Sequence, residues 1–177
     1  MTFIETQLKG VFIIEPKRFA DERGFFAQSF SARQFEERGL TPLVAECNIS
    51  YNRSAGTLRG MHFQRAPHAQ AKLVRCTRGS IFDVAVDLRP ESPTFKRWVG
   101  VELTAESRRL LFVPEGFAHG YQTLEDDTEV FYQVSERYAP ECAGGVRWDD
   151  PAFGIAWPDV GRRVLIDRDA EYPDFAG

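Results

Sequence analysis

The feature that most constrains this chain is a two-residue rhythm. From Ile81 the sequence reads IFDVAVDL, which sets Phe82, Val84, Val86 and Leu88 on one face and Asp83, Ala85 and Asp87 on the other. Such alternation fits a pleated strand, whose side chains point to opposite faces in turn. Similar short runs recur at 11–15, 24–30, 43–51, 71–76, 98–103, 109–113 and 128–134, separated by Gly, Pro and Asp clusters. Many short strands with frequent turns predict an all-β sandwich or barrel. Helix is a minor element. Ser31 suits an N-cap, Gln34 completes an S-x-x-Q capping box, and Gly39 can end the helix in a left-handed conformation. A second short helix is expected near 168–171. No repeat or linker interrupts the 177 residues, so a single domain over 1–177 is expected, with N-terminal strands and a C-terminal tail.

Composition narrows the partners. Hydrophobic residues make up 43% of the chain, enough for a sizeable core, and the 15 Phe must line a core, an interface or a ligand slot. A net charge of −4 with no basic block argues against nucleic acid, whereas local Arg and Lys can still form a cationic cleft for a small polyanion. No stretch approaches the roughly 20 apolar residues that span a bilayer, and the N-terminus carries no cleavage signature. Cys47, Cys76 and Cys142 lack CxxC spacing and read as reduced thiols of a cytoplasmic protein.

The chain has 3 histidines, the side chains best suited to exchange protons near neutral pH. His62 in TLRGMHFQ is read as following a strand, His119 in PEGFAHG as part of a turn, and His68 in RAPHAQ as exposed. Each could be structural. A metal site would need an H-x-H pair, and Phe63 and Gln64 follow His62 instead. General-base chemistry gains weight from the company of His62: Arg23 in DERGFF, Arg59, Lys72 and Arg75 in KLVRC, and Tyr132 in EVFYQ. Arg suits phosphate oxygens, Lys a developing enolate oxygen, and a phenol can return a proton. Any of these Arg could instead sit in a surface salt bridge, and Tyr132 in the core. By themselves they support an anion-binding pocket with an acid and a base.

The motifs DERGFF (21–26), NIS-x-N (48–52), GTLRGMHFQ (56–64), KLVRC (72–76), DVAVDLR (83–89), SPTF (92–95), PEGFAHG (114–120), Y-x-P at Tyr138 and Pro140, and IAWP (155–158) follow one another in an order and spacing that resemble the dTDP-4-dehydrorhamnose 3,5-epimerase family along nearly the whole chain. The resemblance implies a cupin-type jelly roll and a homodimer whose strands pair across the subunit boundary. It implies His62 as general base, Asp169 as the aspartate that orients it (with Asp83 a second candidate), Tyr132 as the acid on the far face, and Lys72 as the enolate stabiliser. Arg59 and His119 would hold the keto and diphosphate groups. Arg23, Asn48 and Arg168 would touch the nucleotide, and Tyr138 would stack on the base.

The resemblance also implies the reaction: inversion of C3 and C5 of a nucleotide-activated 4-keto-6-deoxy hexose through an enolate, with neither metal nor redox cofactor, and the chain has no GxGxxG. Three departures fall in the nucleotide-binding part. Gln28 and Ala143 stand where the family often has Glu, and Glu46–Cys47 stands where Gln–Asp is common. They keep open an enzyme inverting one centre, or one using a CDP- or GDP-linked sugar. A metal-dependent cupin oxygenase and a non-catalytic sugar binder are the rivals from other classes.

Overall fold

The computed structural model describes residues 1–176. Six strands form one antiparallel sheet in the order β1 (Thr2–Glu5), β2 (Phe12–Glu15), β10 (Leu110–Val113), β7 (Lys72–Arg78), β12 (Thr128–Val134) and β5 (Glu46–Asn52). Five form a second: β13 (Ala143–Gly145), β6 (Leu58–Gln64), β11 (Phe117–Thr123), β8 (Ser80–Asp87) and β9 (Trp98–Thr104). A separate hairpin pairs β3 (Arg18–Asp21) with β4 (Gly24–Ala27). The helices are α1 (Ala32–Glu36) and α2 (Asp167–Ala170). This is the expected all-β, cupin-type jelly roll. Among the described residues no helix is long and apolar enough to cross a membrane.

The core lies between the sheets, where Val74, Leu111 and Val130 of the first meet Ile81, Ala85 and Leu103 of the second. A further apolar layer covers the back of the second sheet, with Val84 and Val86 packed against Met61, Val146 and Phe153. The two faces read in IFDVAVDL are therefore both buried. The polar face survives because its carboxylates are partnered: Asp87 accepts from Arg89, Ser92 and Thr94, and Asp83 meets His119. A buried charge without such partners would cost several kcal/mol.

Ser31 does cap α1, its hydroxyl accepting the Gln34 N–H at 3.5 Å, and Gly39 turns the chain out at φ 68°. The capping box is half made, because the Gln34 side chain bonds Gln28 and the N-terminal amine instead of returning to Ser31. α1 inserts Phe35, 1% exposed, edge-on between Phe3 and Phe112.

Two corrections bear on the site. His62 and His119 lie within strands β6 and β11, where they are direct cross-strand partners. The glycines that masked these strands allow their close approach: Gly60 has φ 144°, and a Cβ there would stand 2.6 Å from Gly120 Cα. Strands β1, β3 and β13 also had no counterpart in the sequence reading.

Candidate active site

Alternation now does for the site what it did for the core. On β5, Glu46, Asn48, Ser50 and Asn52 share the inner face, and on β12 Tyr132 shares it with Val130 and Val134. Tyr132 stands directly opposite Asn48 in the register. Lys72 and Val74 of β7 continue this wall, and His62 and His119 face it from the second sheet. They enclose two adjoining lobes of about 390 and 290 Å³, which share His62, Lys72, Tyr132 and Arg168. The first lobe is walled further by Ser50, Arg59, His119 and Tyr121, and is closed by the segment 164–169. The second is walled by Glu46, Asn48, Tyr138, Ala143 and Tyr172.

Each histidine has its own carboxylate. His62 Nε2 lies 2.9 Å from Asp169 Oδ1, and Asp169 Oδ2 accepts the Gly60 N–H at 3.2 Å. His119 Nε2 lies 2.7 Å from Asp83 Oδ1. Asp83, entertained as an alternative partner of His62, thus serves His119. Asp169 is 1% exposed. Burial pushes its carboxyl up, but bonds from His62, Gly60 and Arg168 hold it below its ordinary range. Burial pushes the His62 imidazole down, against the pull of Asp169. A neutral ring facing an ionised carboxylate carries its proton on Nε2 and keeps the lone pair on Nδ1. This is the tautomer a base requires.

The Tyr132 phenol and the Lys72 ammonium are shifted by burial as well. Burial pushes the Tyr132 phenol up, with Arg59 opposing and Glu46 adding to the rise, so its proton is held at neutral pH. Burial pushes the Lys72 ammonium down to about 8, with Asp83 opposing. Its Nζ is 3.4 Å from the His62 carbonyl oxygen. Arg168 gives Nε to Asp169 Oδ1 at 3.2 Å and leaves much of its guanidinium toward solvent.

Nine residues expected from the sequence therefore line one cavity: His62, Lys72, Tyr132, Asp169, Asn48, Arg59, His119, Tyr138 and Arg168. Two do not. Arg23 is exposed beside the hairpin turn and paired with Asp21 at 2.6 Å, and Gln28 is bonded to Gln34. His68 is half-buried rather than exposed, its Nδ1 3.7 Å from Glu136, and lines neither lobe. The sequence reading missed Ser50, Asn52, Tyr121 and Tyr172. The first three stand two residues from Asn48, Ser50 and His119 respectively, a period that would have found them. Tyr172 is edge-on to His62 at 6.2 Å and rests on Gly145, where a Cβ would meet its ring at 2.2 Å. No pattern points to it. Among the described residues no three His, Cys, Asp or Glu side chains are grouped as metal ligands.

A sandwich holding a carboxylate-backed imidazole, a phenol and a buried ammonium around one cavity is equipped for proton transfer. The chain is also similar to known proteins. The family model described as dTDP-4-dehydrorhamnose 3,5-epimerase matches residues 5–177. The dTDP-4-dehydrorhamnose 3,5-epimerase of Salmonella typhimurium is 48% identical over 174 residues, covering 98% of this chain and 94% of its own length. The crystal structure of the enzyme of that name from Elizabethkingia anophelis superposes with a TM-score of 0.96 at 41% identity, covering 99% of this chain and 96% of the other. A Legionella pneumophila dTDP-6-deoxy-D-glucose-3,5-epimerase, solved in complex with dTDP-4-keto-L-rhamnose, superposes at 0.89 with 41% identity over 95% of this chain and 89% of its own. Fold and relatives define the chain as an isomerase. It belongs to the dTDP-4-dehydrorhamnose 3,5-epimerase family.

Proposed function

We propose that the protein inverts C3 and C5 of a nucleotide-activated 4-keto-6-deoxy hexose, converting dTDP-4-dehydro-6-deoxy-D-glucose to dTDP-4-dehydro-L-rhamnose. The observation that carries this reading is that the neutral His62 imidazole, the Tyr132 phenol and the Lys72 ammonium line one cavity. The C4 ketone acidifies the protons on C3 and C5. His62 Nδ1 takes one, and the electron pair passes into the carbonyl to give an enolate. Lys72 offsets that charge, with Arg59 and His119 as further donors. Tyr132 delivers its proton to the opposite face of the carbon and is reprotonated from water, while His62 releases the proton it took. The same sequence at the second carbon completes the double inversion. No step needs a metal or a redox cofactor.

The nucleotide part is assigned to the lobe of Asn48, Tyr138 and Arg168. A homodimer accounts for Arg23 and Gln28, which lie outside the cavity of their own chain. In it the β3–β4 hairpin of one copy reaches the site of the other. Exposed Phe19, Phe25 and Phe26 on the hairpin, and Ile49 and Tyr51 on the edge strand β5, give this pairing an apolar surface to bury.

The test is incubation with dTDP-4-keto-6-deoxyglucose in heavy water, followed by NMR. Deuterium should enter both C3 and C5 as the rhamno product forms. Entry at one carbon alone makes the protein a single-centre epimerase. No entry, with turnover of a CDP- or GDP-linked analogue, reassigns the nucleotide, and no entry with any of them ends the proposal.

A further inference from the structure

Arg59 faces the cavity with its charge unpaired. Among the described residues it forms no ion pair, although its side chain is firmly tied: its Nε donates to Asn52 Oδ1 at 2.8 Å, and its Nη2 makes a long 3.5 Å contact with the Tyr51 carbonyl oxygen. Both acceptors are neutral. Arg168, the other arginine lining the cavity, instead gives its Nε to the Asp169 carboxylate.

Asn52 is held so that this arrangement is the only one open to it. It is 2% exposed, on the inner face of β5. Its Nδ2 donates to the Thr128 carbonyl at 3.2 Å and the Ser50 carbonyl at 3.3 Å. Turning the amide over would set its oxygen against two carbonyl oxygens and its NH₂ against a guanidinium, so Oδ1 must face Arg59. The Tyr121 hydroxyl lies 3.4 Å from Asn52 Nδ2 and donates to Ser50 Oγ at 2.8 Å, which braces the group from β11.

The physical consequence is a division between aim and charge. A carboxylate at position 52 would aim the guanidinium as well, but at contact distance it would also pair with its charge. The charge would then be spent inside the protein. An amide aims Arg59 and leaves Nη1, the second Nη2 hydrogen and the full charge for an anionic ligand. We infer that Asn52 is the positioning residue for Arg59, an uncharged tether that points the guanidinium at the anionic oxygens of a bound sugar nucleotide without neutralising it. This rests on the proposed reading of the cavity.

A double-mutant cycle tests it, with kcat/KM read as deuterium entry from the dTDP-keto sugar. Asn52→Ala should lower kcat/KM about 10- to 100-fold, the size of a lost bond to a charged group. Made on top of Arg59→Ala, the same change should cost less than about twofold, because its partner is gone. Multiplying losses would overturn the inference and leave Asn52 a structural amide between β5 and β12. Asn52→Asp covers the case in which the alanine variant fails to fold, and is assayed below its own melting temperature, which should fall because a carboxylate oxygen meets the two carbonyls that Nδ2 served. It should raise KM at least about tenfold, and an unchanged KM overturns the inference. If the wild-type protein itself incorporates no deuterium, the proposed reaction has failed. The same cycle is then read as dTDP affinity by calorimetry, with the same criterion of additive or non-additive loss.

Discussion

Activity and stability of this protein should move in opposite directions as the pH rises past 8, and one side chain accounts for both. Burial pushes the Lys72 ammonium from an ordinary 10.5 down to about 8. The folded protein thus holds that proton less tightly than the unfolded chain does. At about 1.4 kcal/mol per tenfold change in proton affinity, the charged side chain costs the fold about 3 kcal/mol, an upper bound because water enters the open cavity. Below pH 8 both states are protonated and the full cost is present. Between 8 and 10.5 the unfolded chain binds the extra proton, so stability against urea should rise with pH by up to that amount. Across the same interval the proposed reaction loses the cation that offsets its enolate, and kcat/KM should fall about tenfold per pH unit. Lys72→Met keeps the stem without the charge. It should flatten the pH dependence of both quantities, hold stability at pH 7 at or above the wild-type value, and lower kcat about 100-fold or more. The assays are urea unfolding and deuterium entry at C3 and C5 between pH 7 and 10. A wild-type kcat/KM that stays level to pH 9.5, or a Met variant with the wild-type profile, would refute the reasoning.

Other perturbations separate the remaining roles. His62→Ala should abolish deuterium entry at both carbons, and entry at the native rate means that another group is the base. Tyr132→Phe should slow product formation more than it slows exchange, because it removes the proton donor and leaves the base; equal loss of both would assign the phenol to binding. Arg23→Ala and His62→Ala, each inactive alone, should regain up to about a quarter of wild-type activity when unfolded and refolded together, since a mixed dimer has one intact site if the hairpin acts across the boundary. No recovery would return Arg23 to its own chain or remove it from the site. Phe35→Ala should cost about 3–5 kcal/mol in urea unfolding, because it empties the ring that Phe3, Phe30 and Phe112 enclose.

What could be read from the sequence, and what could not, divides along contact range. Local alternation located β8, β10 and β12 to within a residue or so, since a strand that buries a face must repeat every second residue. It failed on β6 and β11, where Gly60 and Gly120 interrupt the apolar pattern so that two backbones can close up beside the paired histidines. The same failure hid the division of the carboxylates. Asp83 and Asp169 are 86 residues apart, and nothing local shows that the first lies across from His119 while the second folds back from the tail onto His62. Arg23, in the matching motif DERGFF, and Gln28, a departure just after it, mark the other limit, for a single chain does not bring them to the cavity.

Asp169 reaches His62 from α2, a four-residue helix in the segment that closes one side of the cavity. Most of the cavity wall comes from two sheets whose ladders hold it independently of the tail, which adds the segment 164–169 and Tyr172. The tail is tied by fewer bonds: Phe175 N–H to Asp150 at 2.6 Å, Asp174 to Arg147 at 2.7 Å, and Tyr172 against Gly145. Loosening it would leave Tyr132, Lys72 and Arg59 where they are and take away Asp169, which fixes the His62 tautomer, together with Arg168 and Tyr172. Under the proposed reading the tail therefore serves proton abstraction through Asp169 and nucleotide binding through Arg168 together. The strands supply most of the receptor, and in the proposed reaction a short C-terminal segment holds the one imidazole that acts as base.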